Sequence, residues 1–480
     1  MIRERAQGGL AVTAALCLLL AIGTRLYAQE GPAPAEAGDV ALDSEGTALA
    51  GAAPAVRPRA DLRRITLGNG LRLLVLKNDS TEIVSIVALC QAGQADEKPG
   101  QAGLAALTAE TMIRGTTSRP GRAYPDLVAR AGGNIRVISR PDFSEFEIVT
   151  DRARWEPAIK LLADVIAHPA LEAQQVEEAR QTLRRRQLAL RDDFNASSYQ
   201  SLLRLLYGRA PYGQAPNGYP ASLARLGQQE VRQFWQKHYH QNRITVAIVG
   251  DVDPVAAMNT AQKEFADVPF QAPEAGHARY PVRLDRPRVE LLERPGSAAQ
   301  VMVGFLLPPV TAARYPAFLV LESALGGGKR SRLFVNIREK QGLGYDLGVN
   351  YVPLLGQSHL AGYIVTAPFR INPRTGEPEG ILETVKALLV QQFRQVAQDG
   401  LADAELARAK AFTIGRHIVQ LERTREHAYW LALNEALGLG LATEREFTAR
   451  IQAITKEQLQ AAAKEMLNHY ALVVTVPTSE

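Results

Sequence analysis

Histidine and cysteine are the scarce residues of this 480-residue chain, which holds eight of the first and two of the second, with no histidine before His168. That gap excludes a histidine-built metal site from the first third of the sequence. One cysteine, Cys17, lies in an N-terminal apolar run, so a chain that has lost the run keeps Cys90 alone and can close no internal disulfide. Cys90 ends the run IVSIVALC and reads as a buried strand thiol. A dominant charge sign is lacking too, since the formal net charge is only +5. The three arginines at Arg184 to Arg186 stand in a helical pattern and read as a solvated face, so no nucleic-acid partner is expected.

What is present begins with a leader. Arg3 and Arg5 precede the apolar stretch AVTAALCLLLAIG, and Leu26 and Ala28 offer a cleavage site before Gln29. Residues 1–28 therefore read as a signal peptide, its apolar run too short to span a bilayer, and no stable membrane insertion is expected after its removal. Residues 29–60 are rich in Ala, Gly and Pro with scattered acids and read as a flexible linker. With 46% hydrophobic residues, the remainder is long enough to bury the cores of two domains.

Order begins near Arg64, where ITLGNGLRLLVLKND predicts a hairpin around Gly-Asn-Gly. The remaining chain repeats one order of segments. In the first half, EIVSIVALCQAG is followed by a helix, by strand segments ending at FSEFEIVTD, and by the helical pair RWEPAIKLLADVI and QQVEEARQTLRRRQLAL. The second half offers AAQVMVGFLLPP, YPAFLVLESALGG, two strands, and the pair GILETVKALLVQQFRQVAQ and DAELARAKAFTIGRHIVQ. Each half closes with a helix and an apolar strand. The expected fold class is α+β: two homologous repeats, each a mostly antiparallel sheet with helices packed on one face. The boundaries are 61–270 and 288–480, joined by a Pro-rich, charged linker at 271–287.

Single groups yield little chemistry. His238 and His240, in HYH, read as surface or polar-contact residues rather than metal ligands. Glu97, Glu110, Glu177 and Glu178 could collect a cation but ordinarily would be solvated or ion-paired. The run Gly326 to Lys329 lacks the order of a phosphate loop and reads as a turn at a helix end. No Ser/His/Asp or Cys/His arrangement stands in a recognisable motif.

Four segments in order carry a resemblance: GQADEKPGQAGLAALTAETMIRGT, PYGQAPNGYPASLARL, FWQKHYHQNRITVAIVGDVDP and SRLFVNIREKQGLGY. The stretch GQAGLAALTAETMIRGT, Gly100 to Thr116, reads as an amphipathic helix with apolar residues at Leu104, Leu107 and Met112, and from about residue 64 onward the chain resembles the pitrilysin/insulinase-like (M16) zinc peptidases, in which this opening helix bears H-x-x-E-H. Two histidines on adjacent turns ligate zinc, the glutamate serves as general base, and a distal glutamate completes the site. Aligned on Gly103-Leu104-Ala105 and Gly115-Thr116, the resemblance puts Ala106 and Glu110 at the histidine positions and Ala109 at the base. It puts the distal ligand at or beside Arg186, so no metal is expected in this chain.

The second half keeps Arg338 and Tyr345, matching the family's Arg and Tyr that reach substrate at the zinc of the facing domain. The resemblance thus implies a zinc-less subunit similar to the non-catalytic chain of bacterial two-chain peptidases. Its expected partner is an active H-x-x-E-H paralogue that holds the zinc, in a periplasmic heterodimer whose four domains enclose peptides or unfolded segments. The other reading is a non-proteolytic binding or assembly protein of the same fold.

Overall fold

The computed structural model describes residues 62–478 apart from 120–122, 132, 134, 272–280, 372–373 and 467–468. The expected signal peptide, the expected linker at 29–60 and most of the expected interdomain linker lie outside the described residues. The described residues form one compact unit.

The first half runs β1 (Leu62–Thr66), β2 (Arg72–Lys77), β3 (Ile83–Cys90), α1 (Leu104–Met112), α2 (Ala123–Arg130), β4 (Ile135–Ser139) and β5 (Ser144–Asp151). Then follow α3 (Trp155–Ala167), α4 (Ala173–Asp192), α5 (Phe194–Tyr207), α6 (Pro220–Leu223), α7 (Gln228–His238), β6 (Ile244–Gly250) and α8 (Pro254–Glu264). The second half runs β7 (Arg288–Arg294), β8 (Ala299–Leu307), α9 (Tyr315–Gly326), a π-helical turn at Phe334–Glu339, β9 (Asp346–Val352), β10 (Ser358–Thr366), and a small hairpin of β11 (Phe369–Ile371) and β12 (Pro378–Gly380). It ends with α10 (Leu382–Asp399), α11 (Asp403–Leu421), α12 (Thr424–Ala436), α13 (Leu441–Arg445), α14 (Phe447–Gln452), α15 (Lys456–Glu465) and β13 (Tyr470–Pro477).

The repeat read from the sequence is a repeat of topology. The first sheet has the order β1-β2-β6-β3-β5-β4 and the second β7-β13-β8-β10-β9. In each, one parallel pair (β2 with β6, β7 with β13) adjoins a run of antiparallel neighbours. The first sheet adds the expected hairpin, in which Leu62 to Thr66 pair with Leu76 to Arg72 and Gly70 N–H donates to Leu67 O at 2.8 Å. Cys90 is a free, buried thiol whose pKa burial raises. The Gly326 to Lys329 run begins on the last residue of α9 and leaves the helix through its C-cap Gly327.

Central strands β3 and β6 are buried along both faces, as continuous apolar runs require. One face of the first sheet, through Val75, Ile86, Val246 and Ile248, packs on helices of its own half. Its opposite face, through Leu74, Val87, Leu89 and Val249, shares a core with Ala428, Leu431 and Ala432 of α12. The exchange is reciprocal, because Leu202, Leu203 and Leu206 of α5 cover Met302, Ala361 and Val473 of the second sheet. Matching hydroxyl pairs sit at both crossings: Ser85 Oγ to Thr424 Oγ1 at 2.9 Å, and Ser198 Oγ to Thr475 Oγ1 at 2.7 Å. Ion pairs from Arg425 to Glu147 at 2.8 Å and from Arg64 to Glu435 at 2.7 Å tie α12 to the first sheet.

Such interlocking predicts that Leu431→Ala, although in the second half, lowers the stability of the first sheet as well. We expect a loss of about 2–5 kcal/mol in urea unfolding, seen equally by a probe in each half. A transition that moves in one half alone would contradict the shared core.

Candidate functional site

Glycine opens α1. Gly103 adopts φ 91° as its N-cap, and a Cβ there would come within 2.6 Å of the Gly218 backbone. Without side chains at either residue, the 217–218 loop lies directly against the start of the helix. Gln187 of α4 donates to the carbonyls of Asn217 and Gly218 at 2.8 Å each, and the Ser222 hydroxyl to Ala102 O at 2.7 Å. The PYGQAPNGYPASLARL segment therefore joins α1 to α4.

All nine residues of α1 are buried, including Thr108, Glu110 and Thr111. This corrects the amphipathic expectation, since the polar side of the helix is also packed. Thr108 and Thr111 turn their hydroxyls back to the carbonyls of Leu104 and Leu107, at 2.8 and 2.6 Å, which satisfies them inside the helix.

Glu97 closes the N-terminal end. Its Oε1 accepts from the N–H groups of Gly103 at 3.0 Å and Ala105 at 2.9 Å. Burial pushes the carboxyl up to about 8 against the opposing pull of these bonds.

At the other end, Glu110 meets two guanidinium groups. Its Oε2 lies 2.9 Å from Arg186 Nη1, and its Oε1 accepts from Arg114 Nη2 at 3.0 Å. Arg114 also reaches Thr182 Oγ1 at 2.9 Å and Glu178 at 3.6 Å. Glu177 pairs with Arg180, which donates to Leu223 O and Leu226 O at 3.0 and 2.6 Å. Each of the four carboxylates considered for a cation already has protein partners. Of the arginine run, Arg184 and Arg185 are exposed as expected, whereas Arg186 is 33% exposed and turned to Glu110.

The structure thus brings Glu110 and Arg186 together, with Ala106 and Ala109 buried on the same helix. Zinc, the metal implied by the resemblance, does not fit this set: of the positions that the resemblance assigns, two offer methyl groups and the third a carboxylate held by cations, and the distal one falls at or beside the cation of Arg186. Among the described residues no cluster of three or more His, Cys, Asp or Glu could hold a metal ion. His238 and His240 are both buried rather than at the surface. Nδ1 of His238 accepts from Arg243 at 2.9 Å, and burial pushes its imidazole down to about 4, so it is neutral at pH 7.

Arg338 and Tyr345 also come together. The π-helical turn presents Arg338 to solvent over the Phe334 ring, 4.9 Å from its centroid, and Nη1 donates to Tyr345 O at 2.8 Å. Tyr345, 45% exposed, is pinned by its own N–H to Val365 O at 3.0 Å. Burial and the neighbouring Asp346 charge raise its phenol pKa. Among the described residues no hydrogen bond or ion pair links this pair to Glu110 or Arg186. Asp346, which follows Tyr345, and Arg114, which holds Glu110, stand beside the expected residues without having been singled out from the sequence. The Arg114 position, four residues after Glu110, was the one available signal.

Two family models cover the chain, insulinase (peptidase family M16) over residues 73–214 and the peptidase M16 inactive domain over residues 225–413. The chain belongs to the M16 peptidase family. Similar sequences include an uncharacterized zinc protease of Streptomyces coelicolor, 25% identical across 85% of this chain and 87% of that protein. Another is a probable inactive metalloprotease of Bacillus subtilis, 22% identical across 83% and 94%. Among solved structures, the peptidase M16 inactive domain from Pseudomonas fluorescens superimposes with a TM-score of 0.77 at 21% identity, over 87% of this chain and 98% of that one. A protease from Helicobacter pylori gives 0.76 at 19%, over 87% and 99%. At such identities the structures speak for the M16 fold alone.

Glu97 supplies a pH test of this M16 helix. A carboxyl whose folded value lies above its unfolded one stabilises fully below the unfolded value, here 4.5, and that contribution disappears as pH rises through about 8. Glu97→Gln keeps an acceptor for both N–H groups without an ionisable acid. It should therefore gain stability relative to the parent between pH 5 and pH 8 in paired urea titrations, whereas an unchanged difference would contradict the assignment.

Proposed function

We propose that the chain is the catalytically silent subunit of a two-chain M16 zinc metallopeptidase that acts on peptides or unfolded segments in the periplasm after export. The Glu110–Arg186 pair supports this reading, because a guanidinium and its counter-ion stand at or beside the positions that the resemblance assigns to ligands. The helix that elsewhere holds the metal is here a packed, ion-paired structural element. The zinc belongs to an active H-x-x-E-H partner, which supplies the Lewis acid and activated water.

Arg338 and Tyr345 are the substrate-contacting groups this chain would contribute. Both are exposed, and the guanidinium has donors beyond the one engaged with Tyr345 O. It can hold a peptide carbonyl or carboxylate. The phenol can donate to the oxygen on which negative charge develops. Names among the relatives, zinc protease and probable inactive metalloprotease, support a family in which both kinds of chain occur.

Purified alone, the chain should contain no zinc and cleave no peptide; co-expressed with an H-x-x-E-H paralogue, it should form a one-to-one complex that does both. Stoichiometric zinc in the isolated chain would refute the silent-subunit reading, and a stable complex without peptidase activity would favour an assembly role. In the complex, Tyr345→Phe should lower kcat by on the order of 10²-fold and Arg338→Ala should raise KM, with zinc content unchanged. Unaltered kinetics in both would remove the substrate-contact role.

A further test lies in the helix itself. The triple variant Ala106→His, Ala109→Glu, Glu110→His should take up no zinc in metal analysis, because the Arg186 cation remains beside the rebuilt ligands. Tight zinc binding by that variant would show that Arg186 does not hold the distal position.

A further inference from the structure

The glycine run at Gly326 to Gly328 fixes the place of the residues that follow it. A Cβ on Gly326 would collide with the backbone of Gly348 and Val349 in β9, and one on Gly327 or Gly328 would meet the Phe412 ring at 2.8 Å. The missing side chains let the turn lie against the strand that Tyr345 immediately precedes. Beyond the turn come Lys329 and Arg330, both exposed, and then the helical stretch that carries the exposed Arg338 and has the exposed Lys340 as its C-cap. Arg330 and Arg338 are thus separated by on the order of 10 Å of helix, the span of a few residues of extended peptide.

These cations lack the partners that a structural arginine has. Arg332, between them, gives the contrast: its Nε and Nη2 take both carboxylate oxygens of Glu405, at 2.8 and 2.9 Å. Among the described residues, Lys329, Arg330, Arg338 and Lys340 form no ion pair. Arg338 donates to Tyr345 O at 2.8 Å and Lys340 Nζ to Asn336 Oδ1 at 3.0 Å, both neutral acceptors. Nor do Lys329 and Arg330 stabilise the helix they precede, because the N-terminal end of a helix favours anions. The acids of this stretch are the exposed Glu339 and the partly buried Asp346, so positive charge prevails along the rim.

We propose that Lys329, Arg330, Arg338 and Lys340 form a binding surface for acidic segments of a peptide chain. The inference deepens the proposed function by naming its substrate class, and rests on that function for its consequence in catalysis but not for binding by this chain. A peptide, rather than another polyanion, is the occupant because the surface is continuous with the Arg338–Tyr345 pair, whose donors suit a peptide carbonyl or carboxylate.

The test measures fluorescence anisotropy of a labelled Glu-rich peptide, and of its counterpart with Gln at every Glu, on the full isolated chain. The acidic peptide should bind about tenfold more tightly at low salt, and the difference should shrink as salt is added. Lys329→Glu with Arg330→Glu should abolish the preference, whereas Arg184→Glu with Arg185→Glu, an equal charge change on exposed arginines of α4, should leave it intact. Equal binding of the two peptides, no binding of either, or equal loss in both double variants overturns the inference, as does tighter binding of an oligothymidylate of matched charge. In the co-expressed complex, Lys329→Glu with Arg330→Glu should lower kcat/KM for the acidic peptide about tenfold relative to its Gln counterpart. A complex that cleaves neither peptide, while the isolated chain keeps the preference, would support the surface and count against the proposed function.

Discussion

Two sheets that each bury both faces impose the constraint on which the rest of this structure depends. Helices from one half cover one face of that half's sheet, and the other face would be left against water. The chain resolves this by exchange, laying α12 on the first sheet and α5 on the second. Each crossing is fixed by a hydroxyl pair, and that of α12 is bordered by two ion pairs, so register across the exchange is set by directional contacts as well as by burial.

Within that frame α1 occupies a position where no side of a helix is free. Glu97 closes its N-terminal end and the Glu110, Arg114 and Arg186 cluster fixes its other end to α4. A buried carboxylate demands cations, and here arginines supply the compensation. The same demand explains why the helix can retain its place without metal-ligating side chains. The contrast with the second half is physical too: Arg338 and Tyr345 lie on an exposed rim, where donors remain available to another molecule.

The repeat, the hairpin at Gly70, the mostly antiparallel sheets and the strand nature of Cys90 were legible in the sequence, because periodicity and turn chemistry are local properties. The continuous apolar runs IVSIVALC and ITVAIVG also carried the message that both sheet faces are covered, but not what covers the second face. That depends on partners far away in the chain, such as Ser85 with Thr424. The amphipathic reading of α1 failed for the same reason: its polar residues, which would face water on an isolated surface helix, are satisfied internally or by α4.

The amino-acid sequence alone determined which groups are absent, with alanines at 106 and 109 and no histidine before residue 168. It also determined the two-fold recurrence of segments, since each segment's pattern is written in adjacent residues. Only the tertiary structure decided that Glu110 and Arg186, 76 positions apart, form an ion pair, and that Arg338 donates to the carbonyl of Tyr345. Charge and hydrogen bonding act over a few ångströms of space, and the chain sets those distances only by folding.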